Sequence, residues 1–139
     1  MTRAWLLLTL LASPADLAAM PSGDPTGTSL ARCLEREANA STAGQTECET
    51  EALRDYDRRL NLAYAALLRR LPAPAAQSLR QSQRAWITFR DAEDRARNAL
   101  YATRSGTMYV PMEAAAGTIL TRDRALLLEG YARVLSIER

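Results

Sequence analysis

Asp57-Arg58-Arg59-Leu60-Asn61-Leu62-Ala63-Tyr64 decides how this chain is read. Asp57, Leu60, Asn61 and Tyr64 stand at i, i+3, i+4 and i+7, a spacing that places all four on one helix face. Extended in both directions, the apolar stripe Leu53, Tyr56, Leu60, Tyr64, Leu67 and Leu71 keeps steps of three and four, and it predicts a helix over about 43–70. A second stretch, Gln83-Arg84-Ala85-Trp86-Ile87-Thr88-Phe89-Arg90-Asp91, repeats the arrangement with Gln83, Trp86 and Arg90 on one face. The inward face of a packed helix is normally aliphatic. Here Asp, Asn, Gln and Arg interrupt two such faces, so they need partners or their burial is costly.

Punctuation on either side completes the helix pattern. Pro72-Ala73-Pro74 ends the first long helix and opens the next, because proline fits a first turn and not an interior. That next helix is expected over about 74–103, with Leu79, Trp86, Phe89, Ala96 and Leu100 as its buried side. Ser105-Gly106-Thr107 breaks it. A further helix is expected over about 111–137, with Pro111 in its first turn and Met112, Ala116, Ile119, Leu126, Leu127, Val134 and Leu135 as its apolar residues. A short helix over about 29–39 precedes them. Thr42 and Gln45 have the spacing of a capping box, with Thr42 as N-cap. Long helices joined by short turns pack antiparallel. The fold class is therefore all-α: an antiparallel bundle of three long helices plus a short N-terminal helix.

Composition agrees. Apolar residues make up 47% of the 139 positions, enough for one domain with a core. Ala and Leu dominate and β-branched residues are sparse, which favours helix over sheet. The 18 basic and 16 acidic residues leave a net charge of +2. They are interspersed, as on an ordinary solvated surface, and form no stripe that would suit nucleic acid. Glu47, Glu49, Glu51 and Asp55 make one local acidic group. Histidine is absent, so a Ser-His or Cys-His catalytic site is impossible, and the commonest zinc ligand is missing. No cofactor, metal or nucleic-acid partner is expected, and the chain reads as a binding protein rather than an enzyme.

The first residues read as an export signal. Arg3 supplies a positive start, Ala4 to Ala12 a short apolar stretch, and Leu17-Ala18-Ala19 a small-residue cleavage site. The apolar run is shorter than the roughly 20 residues that a bilayer span needs. Residues 1–19 are thus expected to be a signal peptide, 20–28 a Pro/Gly/Ser/Thr-rich disordered linker, and 29–139 the folded domain. The mature protein is expected in the periplasm or outside the cell, with no stable membrane insertion. In that setting Cys33 and Cys48 read as a disulfide tying the short helix to the first long one. A reactive redox pair is the alternative, against which stand the missing Cys-x-x-Cys spacing and the missing His.

In their order along the chain, Cys33, Thr42, Gln45, Cys48, Asp57, Leu60-Asn61, Tyr64, Leu79, Gln83, Trp86, Arg90-Asp91, Gly106-Thr107-Met108 and Leu120-Thr121-Arg122 resemble the LprI-like domain. That family is named for a mycobacterial lysozyme inhibitor. The resemblance covers about residues 30–135. It implies an exported all-helical domain of bacterial envelopes and, by the family name, inhibition of lysozyme. Many members carry a second cysteine pair, one after the Arg-Asp motif and one before Leu-Thr-Arg. Asp94 and Ala116 stand at those places here, so the last helix is expected to be freer to splay. The namesake is lipid-anchored, and this chain has no cysteine near the cleavage site to carry a lipid.

The candidate sites follow from these motifs. Asp57, Asn61, Gln83, Arg90 and Asp91, with Arg122 as a further candidate, are expected to form a polar cluster between helices. In one reading it is a structural network with an Arg90–Asp57 salt bridge fixing register; in the other it is a pocket for a small molecule or cell-wall fragment. Leu60, Tyr64 and Trp86 read as core anchors, with a sugar-stacking platform as the alternative for the two aromatics. Arg104, Thr107, Met108 and Tyr109, in the turn before the last helix, are the candidate partner contact, since Met, Tyr and Arg are enriched at interfaces. An arginine at such a tip could meet the paired carboxylates of a lysozyme cleft. In the plainer reading that turn packs back onto the bundle.

Overall fold

The computed structural model describes residues 23–137. The expected signal peptide, and the start of the expected linker, lie outside the described residues. Four helices follow one another: α1 (Pro25–Glu35), α2 (Thr42–Arg70), α3 (Ala73–Tyr101) and α4 (Tyr109–Val134), with a single 3-10 turn at Glu37–Asn39 between the first two. The expected all-helical bundle is what forms, a short helix and three long ones. α1 starts at Pro25, four residues before the expected boundary, so 25–28 are helical rather than linker. The reason is local: the fixed φ of Pro25 suits the first helical position. The N-cap of α2 is Ser41 rather than Thr42. Its hydroxyl accepts from the Gly44 amide at 3.0 Å, while the Gln45 side chain reaches back to the Ala40 carbonyl.

Cys33 and Cys48 form the expected disulfide, their Cα atoms 5.8 Å apart. It joins the last turn of α1 to the second turn of α2. Asn39 braces the link from the turn between them, its amide donating to the Cys33 carbonyl at 2.8 Å.

The core lies between α2 and α4. Tyr56, Leu60, Ala63 and Leu67 of α2 meet Ala125, Leu128 and Ala132 of α4. Leu60 is the buried anchor that its spacing implied, and Tyr64 and Trp86 pack half-buried against the cluster. The buried side of α4 departs from expectation. Met112, Ile119, Leu127, Val134 and Leu135 are exposed, and Thr118, Thr121, Ala125, Leu128 and Ala132 face inward. Small residues on this stripe let the two helix backbones come close, whereas the larger aliphatics would hold them apart. Thr118 uses that closeness, donating to the Glu49 carbonyl on α2 at 3.2 Å. At the other end Arg70 of α2 donates to the carbonyls of Ala132 and Leu135, capping the end of α4.

The expectation that α4 would splay is overturned, because α4 is the helix packed most closely on α2. α3 is the looser one. Only Ala76, Leu79 and Gln83 of its residues are buried. Phe89, Ala96 and Leu100, expected inside, are exposed. The half-buried stripe of its second half is Trp86, Arg90, Asp94, Arg97 and Tyr101, and charged side chains resist a dry contact. Aliphatic packing therefore stops one turn past Leu79.

Replacing Cys48→Ser is expected to lower stability by roughly 2–4 kcal/mol, the usual effect of a loop closure of this length, with little change in helix content by circular dichroism. An unchanged melting temperature, together with titratable thiols in the native protein, would refute the link.

Candidate functional site

The expected polar cluster does not assemble as one network. Asp57 is exposed, and its carboxylate accepts from Asn61 on its own helix at 3.0 Å. Arg90 turns to its neighbour Asp91, donating at 3.0 and 2.7 Å. Arg122 does the same with Asp123. No Arg90–Asp57 salt bridge forms. Each of these arginines finds an acid one residue away, and a neighbour on the same turn is reached with less ordering than one across a groove. Of the six residues, Gln83 is the one that bonds across helices: its Oε1 accepts from Arg124 Nε at 3.0 Å and Nη2 at 2.9 Å.

Arg124 was not singled out by the sequence, yet it is buried, and it and the half-buried Arg59 are the two arginines on which the interhelix polar contacts turn. Burial lowers its basicity, an expense met by two bonds to Gln83 and one to Ser82. Its guanidinium lies 5.8 Å from the Trp86 ring, and that of Arg90 5.4 Å. Two cations therefore lie over the partly exposed Trp86 ring.

The second is Arg59. Its fork donates to both oxygens of Glu129 on α4, 2.8 Å each. Its remaining nitrogen donates to Asp24 at 2.6 Å and to Thr26 at 2.9 Å, both at the start of α1. Tyr56 donates to the other Asp24 oxygen at 2.5 Å, and Thr26 donates to Asp55 at 2.7 Å. Gly27 makes room, since a Cβ there would meet Asp24 Oδ2 at 2.7 Å. The hydrogen bonds to Glu129 raise the Arg59 pKa further above its ordinary value, against the effect of burial. Burial opposes ionisation of Asp24, but the bonds from Tyr56 and Arg59 outweigh it and hold the carboxyl below its ordinary value. Burial and the Asp24 carboxylate both push the Tyr56 phenol up. Arg59 stood inside the opening motif, but Glu129 is seventy residues further on, and no local pattern pairs the two.

Two surfaces carry the residues that the sequence singled out. One is a cleft of about 420 Å³ lined by Leu53, Arg54, Asp57, Arg90, Asp94, Arg97, Gly117 and Thr121. It brings Asp57 and Arg90 to one place without joining them. Arg97 pairs with Asp94 at 2.7 Å and lies against Gly117 of α4. The other surface is the turn from Ala102 to Met108, exposed throughout. Gly106 has a φ of +109°, which suits glycine. Arg104, Thr107 and Met108 are exposed and Tyr109 is half-buried, so Met108 does not pack back. Leu100, Val110 and Met112 add exposed apolar side chains at the same end. Among the described residues no helix is long and apolar enough to cross a membrane, and no three acids or cysteines converge as metal ligands would.

The family model described as lysozyme inhibitor LprI matches residues 33–128, from the first cysteine to the buried Leu128 of α4. A crystal structure of an uncharacterized protein from Burkholderia thailandensis is similar, with a TM-score of 0.77 and 35% identity over 82% of this chain and 56% of that one. The present chain therefore spans little more than half the length of that protein. No curated protein matches.

Two expectations concern the Arg59 network. Arg59→Ala leaves Glu129 buried without its cation and is expected to cost about 3–5 kcal/mol in chemical denaturation; a loss of only a few tenths would show the pair to be incidental. Asp24 has a lowered pKa when folded, so its contribution is complete above its ordinary value of 3.8 and fades as pH falls through the folded value. Asp24→Asn is accordingly expected to flatten the acid side of a stability-versus-pH profile. A variant profile parallel to that of the unsubstituted protein would contradict this.

Proposed function

The chain belongs to the lysozyme inhibitor LprI family, and from that premise we propose that it is an exported envelope protein that blocks a lysozyme by direct contact through the α3–α4 turn. The observation that carries this is the exposure of Arg104, Thr107, Met108, Val110 and Met112 at one end of the bundle. Exposed apolar side chains around an arginine have the make-up of an interface centre. Lysozymes hold two catalytic carboxylates within a cleft, and Arg104 on a narrow turn suits such a pair. The missing histidine supports a role in binding rather than chemistry, as does the pairing of Arg59 and Arg124 with structural partners. Residues 1–19 support export by their signal-like pattern.

A second reading rests on the cleft around Asp57, Arg90 and Arg97. Its mixed charges suit a small molecule or a cell-wall fragment, which would make the protein an envelope binding module.

The test is lysis of bacterial cell wall by several lysozyme types, with and without oxidised residues 20–139. Dose-dependent protection against at least one type is expected. Arg104→Ala and Met108→Asp are each expected to raise the half-inhibitory concentration about tenfold or more, the loss of roughly 1.4 kcal/mol of contact. Absence of protection against every type would overturn the inhibitor reading. Protection unchanged by both substitutions would move the contact away from this turn.

A further inference from the structure

A groove of about 290 Å³ runs between α1, α2 and α4, on a different part of the molecule from the α3–α4 turn. Leu30 and Leu34 of α1 form one wall and Ile119 of α4 the other, with Glu49 of α2 between them. Glu49 is only 8% exposed. Its backbone carbonyl is engaged by Thr118, but its carboxylate accepts no hydrogen bond and forms no ion pair among the described residues. Arg122 lines the same groove and gives its donors to Asp123 instead. At the far end Asp24 has both oxygens occupied, by Arg59 and Tyr56. Glu49 is thus the one carboxylate of the groove with its acceptors free.

We propose that this groove receives an aliphatic cationic side chain, lysine or arginine, from a protein partner. The Glu49 oxygens are not among the buried unpartnered atoms, and a cation entering the groove would give them the charged hydrogen-bond donor they lack. The leucine and isoleucine walls would pack the methylenes of the same side chain, as long cationic side chains pack on apolar surfaces. Long-range charge favours a protein surface. Of residues 23–59 eight are acidic and five basic, although the chain as a whole carries +2. Glu47 and Glu51 extend the negative field beyond the groove, where it would steer a basic surface; Asp55 is already paired with Arg58. The inference does not depend on the partner being a lysozyme.

The experiment is an amide chemical-shift titration of oxidised residues 20–139 with N-acetyl-lysine amide and N-acetyl-arginine amide, using N-acetyl-norleucine amide as the uncharged control. Saturable shifts are expected at Leu30, Leu34, Glu49 and Ile119 with at least one cationic probe and not with the control. Glu49→Gln is expected to weaken the responding probe about tenfold, equivalent to ~1.4 kcal/mol, without lowering the melting temperature, because no partner is lost. Equal shifts with the norleucine probe would leave an apolar groove only and overturn the proposal, as would binding unchanged by Glu49→Gln. A destabilised Glu49→Gln with no probe binding would show that a group of this chain, such as Arg122, already serves Glu49, and would also overturn it. No lysozyme enters the titration, so its result and that of the lysis assay stand apart.

Discussion

The Arg59 guanidinium is the point on which the three most closely packed helices converge. One side chain of α2 binds both oxygens of Glu129 on α4 and reaches Asp24 and Thr26 at the start of α1. A pair so little exposed is not by itself a large source of stability, because desolvation offsets much of the attraction. Its value lies in specificity. Apolar stripes tolerate rotation and sliding; a planar fork with four fixed acceptor atoms does not. The start of α1 is held by this network and its end by Cys33–Cys48, so a helix of eleven residues, too short to be stable alone, is fixed at both ends.

The contrast between α4 and α3 follows from the residues on their inner faces. Alanine and threonine on α4 let it lie close to α2, where Tyr56, Leu60 and Leu67 fill the remaining space. α3 offers Ala76 and Leu79 and then changes to Trp86, Arg90, Asp94 and Arg97. The first turns dock; the later ones border a solvated cleft. In that half the Asp94–Arg97 pair lies within α3, and Arg97 reaches α4 by lying against Gly117. A looser α3 and an exposed α3–α4 turn are thus two results of one change in side-chain chemistry, and the turn is the surface on which the proposed function rests.

Much of the fold could be read directly. Leu60 at the centre of a three-and-four repeat is buried as expected, Pro72-Ala73-Pro74 separates two helices, and the cysteines pair. Arg104, Thr107 and Met108 lie on an exposed turn, where the sequence had left open a turn packed back onto the bundle. The polar cluster was not legible. Arg90 and Asp57 share a cleft but bond elsewhere, and the residues that do bridge helices, Arg59, Glu129 and Arg124, looked like ordinary surface charges among many.

The amino-acid sequence by itself determined the helices, their limits to within a few residues, the disulfide and the family, because periodicity, proline and cysteine act locally or in pairs that need no register. Tertiary structure alone decided which polar groups meet. A helical repeat confines a side chain to a broad face, but a hydrogen bond needs a partner placed to a fraction of an ångström. The match between Arg59 and Glu129, seventy residues apart, depends on the crossing and sliding of two helices that neither helix encodes alone. The same holds for Glu49, whose burial without a partner arises only when α1, α2 and α4 close around it.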